Sequence, residues 1–494
     1  MPAESSDEIR DAMSAAAVVL LAVAALVPHQ PSLVTLRGSP STTLPTLHAP
    51  KFARAPPVVA TTTADDDAGG TVQDGAALIA GTAIGGGILA LPSCTAPLGV
   101  GPTLVGLFGV WLFFAITGVA WAEAASTTLE ECAAEEGCDP TAVSVVSVTR
   151  GTLGELPSAL CSLAFLSQMV AITTAQLVKA GELASEVMPF VPYEAGAIAS
   201  AVAVGAFAFV ARPALVDRTN TLLTAALVAG FCLLVFSTAK TTIAAGAALP
   251  ALGARLSFAD WSMLSPTGTA VPVFLQVLCY GQSVPLVVNR IGGGRPRALR
   301  AAILLGSFIP FALSATWAVL TSVLLDPGMP GVMSATSGAF GEGVTNDPLV
   351  LLLRGPLEVA LPVGTLAVGA IGTTLIAAFI ALGEFAEDAI CAVAGKCSVR
   401  EARLAQASAV AVPAALALGG TSIYLPLLAF SGSFPSMLLY GLVPPLALAV
   451  LRDRASDAPR LLPDGQTGNA LLGSLALGAV VFLAMSASGV ASPL

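Results

Sequence analysis

Charged residues are missing from long stretches of this chain, and the positions of those stretches predict its elements. No Asp, Glu, Lys or Arg occurs in 75–122, 156–178, 195–211, 219–239, 261–289, 301–325, 359–383, 404–451 or 465–494. A helix needs about 20 apolar residues to cross the hydrocarbon core of a bilayer. The first and the eighth of these runs are 48 residues long and hold two spans apiece. Pro97 to Pro102 divides the first, and Tyr424 to Pro435 the eighth. The pattern predicts an all-α membrane protein with 11 transmembrane helices. They lie near 75–93, 100–122, 156–178, 191–211, 219–239, 266–289, 301–325, 359–383, 404–424, 428–451 and 468–490. The 14-residue run 241–254 is too short and contains Pro250, so it reads as a loop or an interfacial piece.

Composition agrees. Of 494 residues, 55% are hydrophobic and 11% charged, with a mean hydropathy of +0.85. Soluble globular chains carry about 25% charged residues, so an ordinary soluble enzyme is excluded. A net charge of −10 without basic clusters speaks against nucleic acid as a partner. With the N-terminus inside, the inner loops carry Lys or Arg 13 times, against Lys179, Lys240, Arg255 and Arg354 in the outer loops. That is the positive-inside bias of a multi-pass protein in a lipid bilayer.

Residues 1–70 differ from the membrane body at 71–494. Ala15 to Val27 is an apolar run of 13, the size of a signal-peptide core. Pro28 to Ala64 has no acidic residue and carries Arg37, Lys51 and Arg54 among many Ser, Thr and Pro, as transit peptides do. A signal core followed by a transit-like stretch points to a plastid envelope, with the plasma membrane as the alternative. Glu4, Asp7, Glu8 and Asp11 dissent, because a signal peptide starts basic.

The chemistry gathers where spans are interrupted. The first reads Gly81-Thr82-Ala83-Ile84-Gly85-Gly86-Gly87 and ends at Pro92. Each mid-helix glycine costs about 1 kcal/mol relative to alanine, and non-helical backbone persists in a membrane only beside protein or a wet cavity. A break here offers bare N–H groups and a half-helix dipole to an anion; close helix packing through small residues is the other reading. The sixth span contains Cys279-Tyr280-Gly281-Gln282-Ser283-Val284-Pro285. Alone, Tyr280 could be a core aromatic, and Gln282 and Ser283 a helix–helix contact. Two breaks five spans apart, however, are the sequence mark of a transporter with inverted repeats. The eleventh helix is then an appendage. In the third span, Gln168, Thr173, Thr174 and Gln176 are polar. Gln168 is the leading candidate for the site, and interhelical hydrogen bonding accounts for the others equally well.

Gly81–Pro92 resembles the opening of the tryptophan/tyrosine permeases, the aromatic amino acid permeases of the amino acid–polyamine–organocation superfamily. Asn289 to Gly294, with Arg297 to Ser307 and Pro310, is similar to that family's glycine-rich loop and the helix after it. Thr373-Thr374-Leu375 through Ala381-Leu382-Gly383-Glu384-Phe385 resembles its eighth-span pattern. The resemblance covers about 71–490. It implies a leucine-transporter-like 5+5 inverted repeat plus one extra helix, and proton-coupled uptake of aromatic amino acids without a cofactor or metal. Gly85, Gly86 and Gly87, with Thr82, would face the substrate carboxylate, and Tyr280, Gly281, Gln282 and Ser283 its amine and side chain. Thr373 and Thr374 match positions that hold sodium in ion-coupled relatives, or that tie two helices together.

One departure matters. Family members carry a histidine where Gly281 stands, and the only histidines here, His29 and His48, lie in the leader. Proton coupling then falls to a carboxylate at a span end: Glu123, Glu155, Glu358, Glu384 or Asp388, of which Glu384 matches a family aspartate. Sodium stays open as the coupling ion. Transport of other neutral amino acids, or an amino acid sensor that does not transport, are the alternative functions. A membrane enzyme is disfavoured, since the body has no HExxH motif and no histidine.

Overall fold

The computed structural model describes residues 70–134, 143–245, 260–265, 268–325, 347–394, 398–454 and 460–491. The predicted leader, apart from Gly70, lies outside the described residues.

Helix follows the charge-free sequence. α1 (Val72–Ala83) begins at a capping box in which Thr71 and Asp74 bond each other's backbone N–H, and it stops where Ile84 and Gly85 turn extended. A 3-10 turn at Gly86–Ala90 leads into α2 (Leu91–Thr95), and this second half is bent by 46° from α1. Gly99, at φ 82°, turns the chain into α3 (Val100–Ala134). A short α4 (Val145–Leu153) precedes α5 (Glu155–Val187), α6 (Tyr193–Val210) and α7 (Pro213–Ala245). α7 thus carries helix five residues into the stretch expected to be a loop from 241.

The next five spans repeat this plan. α8 (Ala270–Val277) ends at Leu278, and a 3-10 turn at Gly281–Ser283 restarts the chain as α9 (Val284–Ile291). α10 (Pro296–Leu324), a short α11 (Pro348–Leu353), α12 (Leu357–Ala394) and α13 (Val399–Ala417) follow. α14 (Tyr424–Ser431), a π-helical segment at Gly432–Leu442 and α15 (Val443–Asp453) form one continuous span, and α16 (Gly465–Ala491) ends the described chain.

The eighth charge-free run divides earlier than expected, at Leu418–Ile423, where Gly420 has φ 89°. Tyr424 to Pro435 is helical instead. Pro435 lies inside the π-helical turns, whose wider winding leaves room for a residue that lacks an N–H.

Packing repeats with a shift of five spans. α1 and α2 pack on α10 as α8 and α9 pack on α3. α5 lies against α6 as α12 lies against α13, and α7 against α12 as α14 and the π-helical segment lie against α5. Halves with an odd number of crossings face opposite ways. The architecture is the leucine-transporter-like inverted repeat, with α16 added outside against α15 and the π-helical segment. Among the described residues nine helices are long and apolar enough to cross a membrane, ten with α1 and α2 taken as one bent span. The difference from the expected eleven is α13, a 19-residue helix that carries Arg400, Glu401 and Arg403 at its start.

Candidate functional site

The two breaks meet at the centre of the bundle. Thr82, in the last turn of α1, bonds the Ile79 carbonyl at 2.9 Å and lies 3.2 Å from Ser283 Oγ at the start of α9. Ser283 in turn donates to the Tyr280 carbonyl at 2.8 Å, which closes the second break. On the other side, the Gly86 N–H donates to Thr374 Oγ1 of α12 at 2.7 Å. The Thr374 hydroxyl itself donates to the Ala370 carbonyl at 2.8 Å. It therefore ties α12 to the first break. Thr373 bonds back to the Gly369 carbonyl of its own helix.

Close approach explains the glycines. A Cβ on Gly85 would lie 2.8 Å from Thr374 Oγ1, and one on Gly86 would overlap the Gln176 side chain of α5. Gly87 faces Val277 of α8. No described residue accepts from the Gly85 or Gly87 N–H. A half-helix start with free N–H groups and a positive dipole end is suited to an anion.

The sixth-span residues have separate tasks. Tyr280 is buried, and its hydroxyl donates to the Phe114 carbonyl of α3 at 2.7 Å. Gln282 is exposed and accepts from the Tyr440 hydroxyl at 3.2 Å. Gly281 presses against the Tyr440 ring, which occupies the space that any side chain at 281 would need. Beside these residues a narrow cleft, lined by Thr117, Gly118 and Trp121 of α3, opens next to Tyr440. Gln168 of α5 is buried and donates to Ser436 Oγ at 2.8 Å, in the π-helical segment. Tyr440 and Ser436 belong to the site by position, and neither stood out in the sequence. Both lie in the π-helical segment, whose place beside the sixth break is set by the fold.

Buried charge groups lie toward both ends of the bundle. Lys179, placed by its charge in an outer loop, is instead fully buried inside α5. Its Nζ lies 2.6 Å from both Glu182 and Asp347 carboxylates and 4.3 Å from the Tyr424 ring centroid. Asp347 also caps α11 through the Leu349 N–H at 2.8 Å. Charge marks a span boundary only when it is solvated, and here the ion group is enclosed. At the opposite end Glu123 of α3 is buried. It takes Arg452 Nε at 2.9 Å and the Leu461 and Leu462 N–H groups at 2.8 Å each. Gly70 bonds the Arg290 carbonyl at 2.9 Å, so the start of α1 and the end of α9 share this end. Gly81 and Gln282 are exposed, whereas Ala171–Lys179 of α5 are all buried.

The other carboxylates stand apart. Glu155 is exposed beside Arg150 at 3.2 Å, Glu358 is exposed, and Asp388 is half-buried. Glu384 is half-buried in α12. At ten residues beyond Thr374 it lies about 15 Å along the helix from the first break.

A sequence profile of the tryptophan/tyrosine permease family matches residues 70–484. The chain belongs to the tryptophan/tyrosine permease family. It is 27% identical over 284 residues to tyrosine-specific transport system 2 of Haemophilus influenzae and 24% identical to tyrosine-specific transport system 1 of that organism. Each match covers 54% of this chain and 64% of the relative, so the chain spans somewhat under two thirds of these relatives' length. Solved structures that share the outline include a variant of the Eremococcus coleocola manganese transporter, at 10% identity and a TM-score of 0.47 over 86% of this chain and 88% of that one. Another is a Na+-coupled sialic acid symporter, at 13% identity and a TM-score of 0.34 over 77% and 84%. This permease-family chain is a multi-pass membrane protein.

Proposed function

We propose that this permease is a secondary active transporter of aromatic amino acids, tyrosine and tryptophan first, working by alternating access around its two broken helices. The observation that carries the reading is the meeting of the breaks, Thr82 against Ser283 with Gly86 held by Thr374. Free N–H groups at Gly85 and Gly87 suit a carboxylate. Tyr280 to Ser283 and Gln168 line the region in which the amine and side chain would rest. The named substrate of the two Haemophilus influenzae relatives supports tyrosine.

Coupling is assigned to protons. No histidine occurs between 70 and 494, so an imidazole relay is unavailable to the body. Glu384 is the proposed proton carrier, and Thr373 and Thr374 the alternative ion positions, with Thr374 already engaged by Gly86. The plastid envelope is the proposed location.

The test is uptake of labelled tyrosine and tryptophan by proteoliposomes holding the full chain, with and without an inward proton gradient. Gradient-dependent accumulation that Glu384→Gln uncouples is the expected result. Accumulation of another neutral amino acid but of neither aromatic one would retain the carrier and discard the aromatic assignment. Binding without flux would identify a sensor.

A further inference from the structure

Gln176 of α5 has no exposed surface, yet neither its Nε2 nor its Oε1 has a hydrogen-bond partner. Its carboxamide lies directly on the first break, where a Cβ at Gly86 would collide with it. The contrast with Gln168, two turns earlier on the same helix, is sharp: that amide donates to Ser436. Burying an amide without partners is unfavourable, and native chains seldom leave both of its atoms unpaired. What Gln176 faces is the segment whose Gly85 and Gly87 N–H groups also lack acceptors.

We propose that Gln176 is a substrate-binding residue whose carboxamide grips the α-amino-acid group, Nε2 donating to the carboxylate and Oε1 accepting from the ammonium. A zwitterion carries a donor and an acceptor on one carbon, and a carboxamide presents the complementary pair side by side. Both unpaired atoms are then satisfied by one ligand, and the carboxylate also meets the glycine N–H groups. The assignment rests on the amino acid transporter reading above. It adds a contact that is indifferent to the side chain, so it serves recognition of the amino acid backbone.

The experiment compares the purified full chain with its Gln176→Leu variant, reading ligand affinity and ligand-free melting temperature. The expected result is tyrosine binding weakened about ten- to a hundredfold, as for loss of charge-assisted hydrogen bonds. The ligand-free melting temperature should be unchanged or higher, because an unpaired polar group has been removed. The affinity gap should narrow for tyramine, which lacks the carboxylate, and for 3-(4-hydroxyphenyl)propionate, which lacks the amine. Equal tyrosine affinity in both chains overturns the proposal. So does a fall in melting temperature together with affinity, the pattern of an amide that braces the helices through enclosed water. If the wild-type chain binds neither tyrosine nor tryptophan but another amino acid, the aromatic reading fails and the same comparison is made with that ligand. A wild-type chain that binds no amino acid overturns both.

Discussion

Gly86 meets two demands at once. Its N–H is fixed by Thr374, and its missing side chain leaves room for Gln176. Gly86→Leu is expected to cut uptake below about a tenth of wild type in the proteoliposome assay, since the added atoms fall where an enclosed side chain already sits. Thr374→Val removes the acceptor and should cost about 1–3 kcal/mol of stability, visible as a lower melting temperature that Thr374→Ser restores. Gly281→His, which would bring in the family's histidine, meets the Tyr440 ring. It is expected to lower expression and uptake by itself, and to recover in part when combined with Tyr440→Ala, because the two positions share one volume. The glycine run was legible from residue type alone, since three consecutive glycines in a span need a reason. Tyr440 was not, because its partner is 159 positions away in the chain and only the fold brings the two together.

Helices raise a different question, which is where charge is allowed. The Lys179–Glu182–Asp347 group joins α5 to the cap of α11. Lys179→Met strips the cation from two enclosed carboxylates and is expected to destabilise by about 3–5 kcal/mol, read by thermal unfolding. The triple change Lys179→Met, Glu182→Met and Asp347→Asn should lie closer to wild type, as it removes the charges and keeps a cap. This group also explains what the hydrophobic pattern missed. Treating every charge as the end of a span cut the third span short at 178, whereas the helix continues to Val187. Proline misled in the same way, since Pro435 proved compatible with a wider helical turn and the real division came at Gly420. Spans bounded by solvated charges, such as those at Arg212 and Arg300, were legible as they stood.

At the scale of the whole molecule, Gly81 and Gln282 are exposed at the breaks while Ala171–Lys179 of α5 are buried, which predicts access from the side on which α1 begins. Gln282→Cys in reconstituted vesicles is expected to react with a membrane-impermeant maleimide from the α1 side alone, against a background set by the same chain without the substitution. Labelling from the opposite side in the absence of substrate would contradict that direction of access. Fold class and halves were legible in the sequence because they depend on repeated hydrophobic length and on paired interruptions. The direction of opening was not, since it depends on which of two nearly equivalent packings the halves adopt.

The matching contacts of the two halves carry a consequence for how such a chain changes shape. α1 and α2 pack on α10 as α8 and α9 pack on α3. The halves thus share one packing plan. If the first half took the pose of the second and the second that of the first, the cleft would face the other way with the same set of helix pairs in contact. A second shape is in this sense already drawn inside the first, and a cycle between them needs an exchange of roles more than a rebuilding of the core.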